Sequence, residues 1–289
     1  MRPETLARLQ VLAAALLFSG GGAGIKACAL TSYQVASFRS GVAALAVFAL
    51  VREARTFPGP RALLVGAAYG ATLILFVLAN KLTTAANTIF LQSTAPLYIL
   101  VLGPWLLRER FRKEDLVILA IALAGLALFF VGVEPARRTA PDPARGNALA
   151  LLAGVAWALT LMGLRWMGRS NTGGPSSAAA AVLAGNVIAF LVVLPPALPV
   201  GPARPADWAI VAGLGLLQIG LAYKFLTAAL RHVPALEASL LLLLEPVLNP
   251  VWAWVVQGET PRAWSLLGGA LILAAATSKA WMDTRGKPA

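Results

Sequence analysis

Charge is scarce in this chain of 289 residues. Only 12% of it is Asp, Glu, Lys or Arg, about half of what a soluble domain carries. Cysteine is rarer still. Cys28 stands alone, which excludes an internal disulfide and a cysteine metal cluster. There is one histidine, His232, so neither a histidine metal site nor a Ser/His pairing at membrane depth is available. His232 falls in a connection and reads as a solvated loop residue. No Gly-x-x-x-x-Gly-Lys-Ser/Thr segment occurs, which argues against direct use of ATP. No metal, cofactor or obligatory protein partner is expected.

What is abundant is apolar sequence. Hydrophobic residues make up 59% of the chain, in long runs with the charges gathered between them. A bilayer core demands about 20 consecutive apolar residues per helix. Ten stretches meet that demand, near 6–26, 33–51, 61–81, 86–107, 115–134, 147–167, 176–198, 206–230, 235–256 and 263–281. The expected fold class is therefore all-α and integral to the membrane. Leu6 to Ile25 is long enough to span and lacks a small-residue cleavage site after it, so it reads as a first span.

The net charge of +12 would suggest nucleic acid in a soluble protein, but here it reports topology. Of 24 Lys and Arg, Arg39 and Lys224 lie well inside spans, away from their ends. Fifteen fall at the termini and even-numbered connections, and seven at the odd-numbered ones. Positive loops stay inside, so both termini are expected in the cytoplasm, with the lipid bilayer as surroundings and no nucleic-acid partner.

The chain also repeats itself. An offset of 150 residues pairs Ala79 with Ala229, Lys81 with Arg231, Ala85 with Ala235, Pro96 with Pro246, Glu109 with Glu259 and Arg112 with Arg262. Chance pairs Ala with Ala easily, but not Pro, Glu and Arg at one offset. Five spans separate equivalents, an odd number, so the second half must run inverted. The units are 1–134 and 147–289, joined by a Pro/Arg-rich linker at 135–146. Inverted repeats are a transporter architecture, with the substrate near the midplane between them.

The segment Glu245-Pro246-Val247, then Gly258-Glu259 and Leu267-Gly268-Gly269-Ala270, resembles the C-terminal half of an EamA-type repeat. Ala228-Ala229-Leu230, Pro234-Ala235 and Glu237-Ala238-Ser239 extend the likeness upstream. The first half departs from it in having Ala95 where the second has Glu245. The resemblance covers the chain and points to the drug/metabolite transporter superfamily, and within it to the YddG-type exporters of aromatic and other hydrophobic amino acids. It implies a secondary transporter of the inner membrane, with an amino acid as substrate and alternating access as mechanism. Drug or metabolite efflux and nucleotide-sugar transport are the alternatives.

Charge inside a bilayer is costly, so each ionisable group there should meet a cavity or a partner. Glu245 and Lys224 are placed to pair, or to meet the ammonium and carboxylate of a zwitterion. A structural brace is the competing reading. Arg39 reads as a snorkelling or interhelical anchor. Tyr98, Trp157 and Tyr223 are expected to line an apolar cavity, with polar contacts from Gln92, Gln218, Lys224 and Glu245. Pro96 and Pro246 should kink the fourth and ninth spans at matched depth. Gly20 and Gly22 serve either as a hinge of the first span or for close helix approach, as does Gly66-x-x-x-Gly70. Glu109 and Glu259 are expected to fix helix ends.

Overall fold

Ala- and Leu-rich runs with few β-branched residues favour helix, and helix also satisfies every backbone group where water is absent. The computed structural model describes residues 3–106, 113–131, 136–169, 175–229, 241–242 and 244–285. Among these there are helices and no strand, only an isolated bridge between Arg137 and Ala140. In chain order they are α1 (Pro3–Ser19), α2 (Gly21–Ala27), α3 (Ser32–Leu50), a 3-10 turn (Arg52–Arg55), α4 (Pro60–Leu82), α5 (Ala85–Gln92), α6 (Ala95–Leu106) and α7 (Lys113–Val131). The second half holds α8 (Pro143–Arg169), α9 (Pro175–Ala197), α10 (Pro205–Gly213), a π-helix (Leu214–Leu221), α11 (Ala222–Ala229), α12 (Leu244–Gln257) and α13 (Ala263–Arg285). Glu109, Arg112, His232 and Glu237 lie outside the described residues.

Local signals set the ends. Thr31 accepts the Gln34 amide while the Gln34 side chain accepts the Thr31 amide, a capping box that starts α3. Thr84 caps α5 in the same way through the Asn87 amide. Prolines open α4 and α10, where a missing N–H costs nothing.

Six helical stretches are long and apolar enough to cross a membrane: Thr5–Ala27, Ser32–Leu50, Pro60–Leu82, Pro143–Leu164, Ala178–Ala197 and Pro205–Leu226. Ala263–Ala275 is a shorter apolar helix. Large apolar side chains stand on the outside, among them Leu45 at 73% exposure and Trp105 at 84%. A soluble monomer rarely shows so much apolar surface, whereas lipid solvates it. A groove of about 650 Å³ on that outer surface is lined only by apolar residues and glycine, from Phe38, Leu45 and Phe48 to Leu183, Phe190 and Trp208.

Three of the expected spans are interrupted. The first breaks at Gly20, between α1 and α2. The eighth passes through eight residues of π-helix. The fourth is two helices, not one kinked at Pro96. α5 stops at Gln92, and Pro96 falls in the first turn of α6, where it removes no helical hydrogen bond. The Ser93 and Thr94 hydroxyls turn back onto the carbonyls of Ile89 and Leu91 and complete the break. Pro246 is buried on α12, with Pro250 inside the same helix.

Packing between the halves is reciprocal. α3 lies on α9 and α7 on α13, each pair joining equivalent helices; α4 lies on α8 and α1 on α11. Small residues permit the closest crossings. A Cβ on Gly66 would come within 3.0 Å of the Ala181 carbonyl oxygen, and one on Gly70 within 2.9 Å of that of Gly185. The Gly66-x-x-x-Gly70 pair thus seats α4 on α9.

One face of the bundle is tied shut by charges. Lys26 at the end of α2 pairs with Glu259 at 2.9 Å, with side chains only 3% and 7% exposed. The Lys26 ammonium also donates to the carbonyls of Thr83, at 2.8 Å, and of Thr139. The second Glu259 oxygen accepts the Ala85 amide at 3.0 Å, an orphan donor at the start of α5. Lys81 donates to the Cys28 carbonyl. Asp207 accepts the Ala29 amide and holds Arg204 through two bonds of 2.9 Å. Asn147 accepts from Thr83 and Asn87. Burial beneath this layer pushes the Cys28 thiol pKa up, so it stays protonated. The connections that follow α2, α4, α7, α9 and α12 thereby meet in one polar network.

Candidate functional site

Beneath that face, aromatic rings from four helices converge. Tyr69 of α4 stands 5.8 Å from Tyr223 of α11 and 6.3 Å from Trp157 of α8, centroid to centroid. Phe18 of α1 meets Tyr223 edge-on at 5.4 Å. α4 crosses α9 closely because Gly66 and Gly185 have no side chains, and α8 closely because Gly163 has none; the first crossing sets the Tyr69 ring against Gly185. The cluster draws on both halves of the chain. Tyr98 joins from the other side of Trp157, packed with Ala95, Ala158 and Met162.

Polar groups ring these aromatics. The Tyr69 hydroxyl lies against the Tyr223 hydroxyl and Asn186, and within electrostatic reach of Arg39 and Glu245. The Asn186 amide nitrogen donates to the Val182 carbonyl, while its oxygen is buried without a partner. Gln218 projects from the π-helix toward the break in the first span. A Cβ on Gly21 would stand 2.9 Å from the Gln218 amide nitrogen, and one on Gly22 would stand 2.6 Å from the Asn249 amide oxygen. The break at Gly20 and the close approach at Gly22 therefore occur together. Both amide atoms of Asn249 and the Gln218 oxygen are buried and unbonded. Next to them Trp252 donates to the Ser19 hydroxyl at 2.9 Å, and that hydroxyl donates to the Leu16 carbonyl. π-Helices and broken helices recur where function needs backbone or side chains re-aimed.

The residues singled out from sequence distribute unevenly. Trp157 and Tyr223 meet through Tyr69, and Tyr98 adjoins Trp157. Glu245, half-buried, lies near the two tyrosines. Gln218 stands at the first-span break. Gln92, half-buried, ends α5 at the break in the fourth span, its carbonyl facing Gly154. Lys224 is exposed, one residue on from half-buried Tyr223. Glu259 fixes the start of α5, a helix end of the opposite repeat. Arg39 neither snorkels nor reaches the surface: it is 1% exposed. Sequence reasoning also passed over Tyr69, Phe18 and Asn249, each of which reads locally as an ordinary core residue. Among the described residues no group of His, Cys, Asp and Glu could hold a metal ion.

Comparison with known proteins gives this arrangement its context. Residues 5–131 and again 144–278 match the EamA-like transporter family. The pseudopaline exporters CntI of two Pseudomonas aeruginosa strains, UCBPP-PA14 and PAO1, are 24% identical over 253 residues, which is 85% of this chain and 85% of theirs. A solved crystal structure at 20% identity covers 98% of this chain and 99% of its own, with a TM-score of 0.62, a likeness of fold.

Proposed function

We propose that this chain, which belongs to the EamA-like transporter family, exports aromatic and other hydrophobic amino acids across a bacterial inner membrane by alternating access. The observation that carries the reading is the aromatic cluster of Phe18, Tyr69, Trp157 and Tyr223, built from both repeats and bordered by unpaired amides. Flat rings receive an apolar or aromatic side chain, and the amides receive polar ends. In this reading ten spans form two inverted five-helix units, 1–134 and 147–289, around linker 135–146. Both termini lie in the cytoplasm, and the network around Lys26 and Glu259 closes the outer face. Such a state leaves the opposite side free to admit substrate, and reversal requires the Lys26–Glu259 pair to part.

A second reading is export of pseudopaline or a solute like it, favoured by the two Pseudomonas relatives. Uptake into liposomes holding the purified protein separates the two. The panel is labelled phenylalanine, tryptophan and leucine beside pseudopaline, a nucleotide sugar and a lipophilic cation. Saturable uptake of the amino acids alone is the expected result. Uptake of pseudopaline without the amino acids replaces the first reading by the second. Reporter fusions at both termini check the orientation, and an external C-terminus would require an odd number of spans.

A further inference from the structure

Arg39 is buried to 1% exposure and forms no ion pair with a described carboxylate. It is the eighth residue of α3, about 10 Å along the helix from its start at 1.5 Å per residue. A guanidinium presents five N–H donors in a planar fork and keeps its charge at physiological pH. Here one donor, on Nη2, reaches the Leu73 carbonyl at 3.4 Å, the outer edge of hydrogen-bond distance. The Nε donor is buried with no partner. The carboxylates that do form ion pairs, Glu259 and Asp207, are spent on Lys26 and Arg204.

Leaving a cation in such a place is strongly unfavourable, and an apolar residue of similar volume would avoid the penalty. A merely structural anchor would spend its donors on the protein, as Lys26 does with three oxygens. The surroundings of Arg39 are instead those of an incomplete anion site. Ser40, its neighbour on α3, has a buried hydroxyl without a partner, and Tyr69 stands within electrostatic reach. Tyr69 is also the centre of the aromatic cluster, so the positive charge adjoins the place where a ring would lie. The approach of the π-helix holds α3 in place: a Cβ on Gly215 would stand 2.7 Å from the Arg39 carbonyl oxygen.

We infer that Arg39 binds the carboxylate of the transported solute, through Nε and a terminal nitrogen, with the solute's apolar part against Tyr69, Tyr223 and Trp157. The inference rests on the transport reading above and narrows it to carboxylate-bearing solutes.

The test uses three probes that share a phenyl ring. Phenylalanine carries both charged groups, 3-phenylpropionate only the carboxylate, and phenylethylamine only the ammonium. The purified protein should be thermally stabilised by the first two and not by the third. Uptake in proteoliposomes should favour them by roughly 10- to 100-fold, the range of a hydrogen bond to a charged group. Arg39→Gln should erase that preference while leaving phenylethylamine unchanged, and Arg39→Lys should restore part of it. An equal fall for all three probes would make Arg39 a structural brace and overturn the inference. So would a wild-type protein stabilised equally by phenylethylamine, a result that stands even if no variant folds. Failure of the amino-acid reading looks different: the protein would reject phenylalanine yet respond to other carboxylates, citrate or pseudopaline, in an Arg39-dependent way. A protein indifferent to every carboxylate offered sinks the inference itself.

Discussion

The connection face and the membrane interior handle polar groups in opposite ways. At the face, Lys26, Glu259, Asp207 and Asn147 each hold two or more partners, and the network joins connections from both repeats. In the interior, Arg39, Ser40, Asn186, Gln218 and Asn249 keep buried donors or acceptors unbonded. A buried polar group without a partner is destabilising by about 1–3 kcal/mol. A fold that leaves Asn87 and Gln257 with one unbonded oxygen each at one level, and both amide atoms of Asn249 and the Arg39 Nε unbonded a few turns deeper, has a different use for the second set. The face holds one conformation together; the interior holds capacity for a solute or for water.

The sharpest way to break this comparison is at Glu259. Glu259→Ala removes the counter-ion of a buried lysine and the acceptor of the Ala85 amide. A loss of about 3–5 kcal/mol of stability is expected, read from thermal or denaturant unfolding in detergent. The double replacement Lys26→Met with Glu259→Leu should recover most of it, because no charge is then stranded. A single variant that unfolds like the wild type would show that the face is not what holds the bundle closed.

Gly22 joins the two regions, and its replacement should have an intermediate effect. A Cβ there would stand 2.6 Å from the Asn249 amide oxygen and 3.0 Å from the Ala85 Cβ. Gly22→Ala must displace α12 or α5, at a cost of about 1–3 kcal/mol. Reduced stability together with slower uptake is the expected pair of results. Normal values for both would mean that Asn249 rotates away freely.

The smallest effect on stability, and the most informative contrast, belongs to Asn249. Neither of its amide atoms is bonded, so Asn249→Leu should change stability by less than about 1 kcal/mol. Uptake should nevertheless fall several-fold. A variant that loses stability and keeps transport would place Asn249 among the structural groups, with Asn147.

How much of this was legible beforehand depended on whether the signal is local. The membrane class, the repeat and most spans follow from runs of apolar residues and from Pro, Glu and Arg recurring 150 positions apart. Of the interruptions, the one at Gly20 was legible only as one of two options, a hinge or a close helix approach, and the others were not legible. Gly20 and the Gln92–Ala95 break look like other Gly- and Pro-bearing positions, and the π-helix at Leu214–Leu221 has no marker residue in it. The direction in which a polar side chain faces is hidden for the same reason. Lys224 and Glu245 sit at suitable depths on consecutive spans, yet depth fixes only one coordinate of a side chain. Rotation about the helix axis turned Lys224 outward and Tyr223 inward.

By itself, then, the sequence determined the solvent this protein lives in and its doubled plan, because burial in lipid is decided residue by residue through hydrophobicity and charge. Only the tertiary structure decided which polar residues are partnered and which wait. Lys26, at a span end, and Arg39, within a span, are both lone cations in apolar sequence, and nothing in their neighbours names a partner for either. Lys26 finds Glu259, 233 residues away, through the packing of α2 against α12, whereas among the described residues Arg39 donates to the Leu73 carbonyl and forms no ion pair.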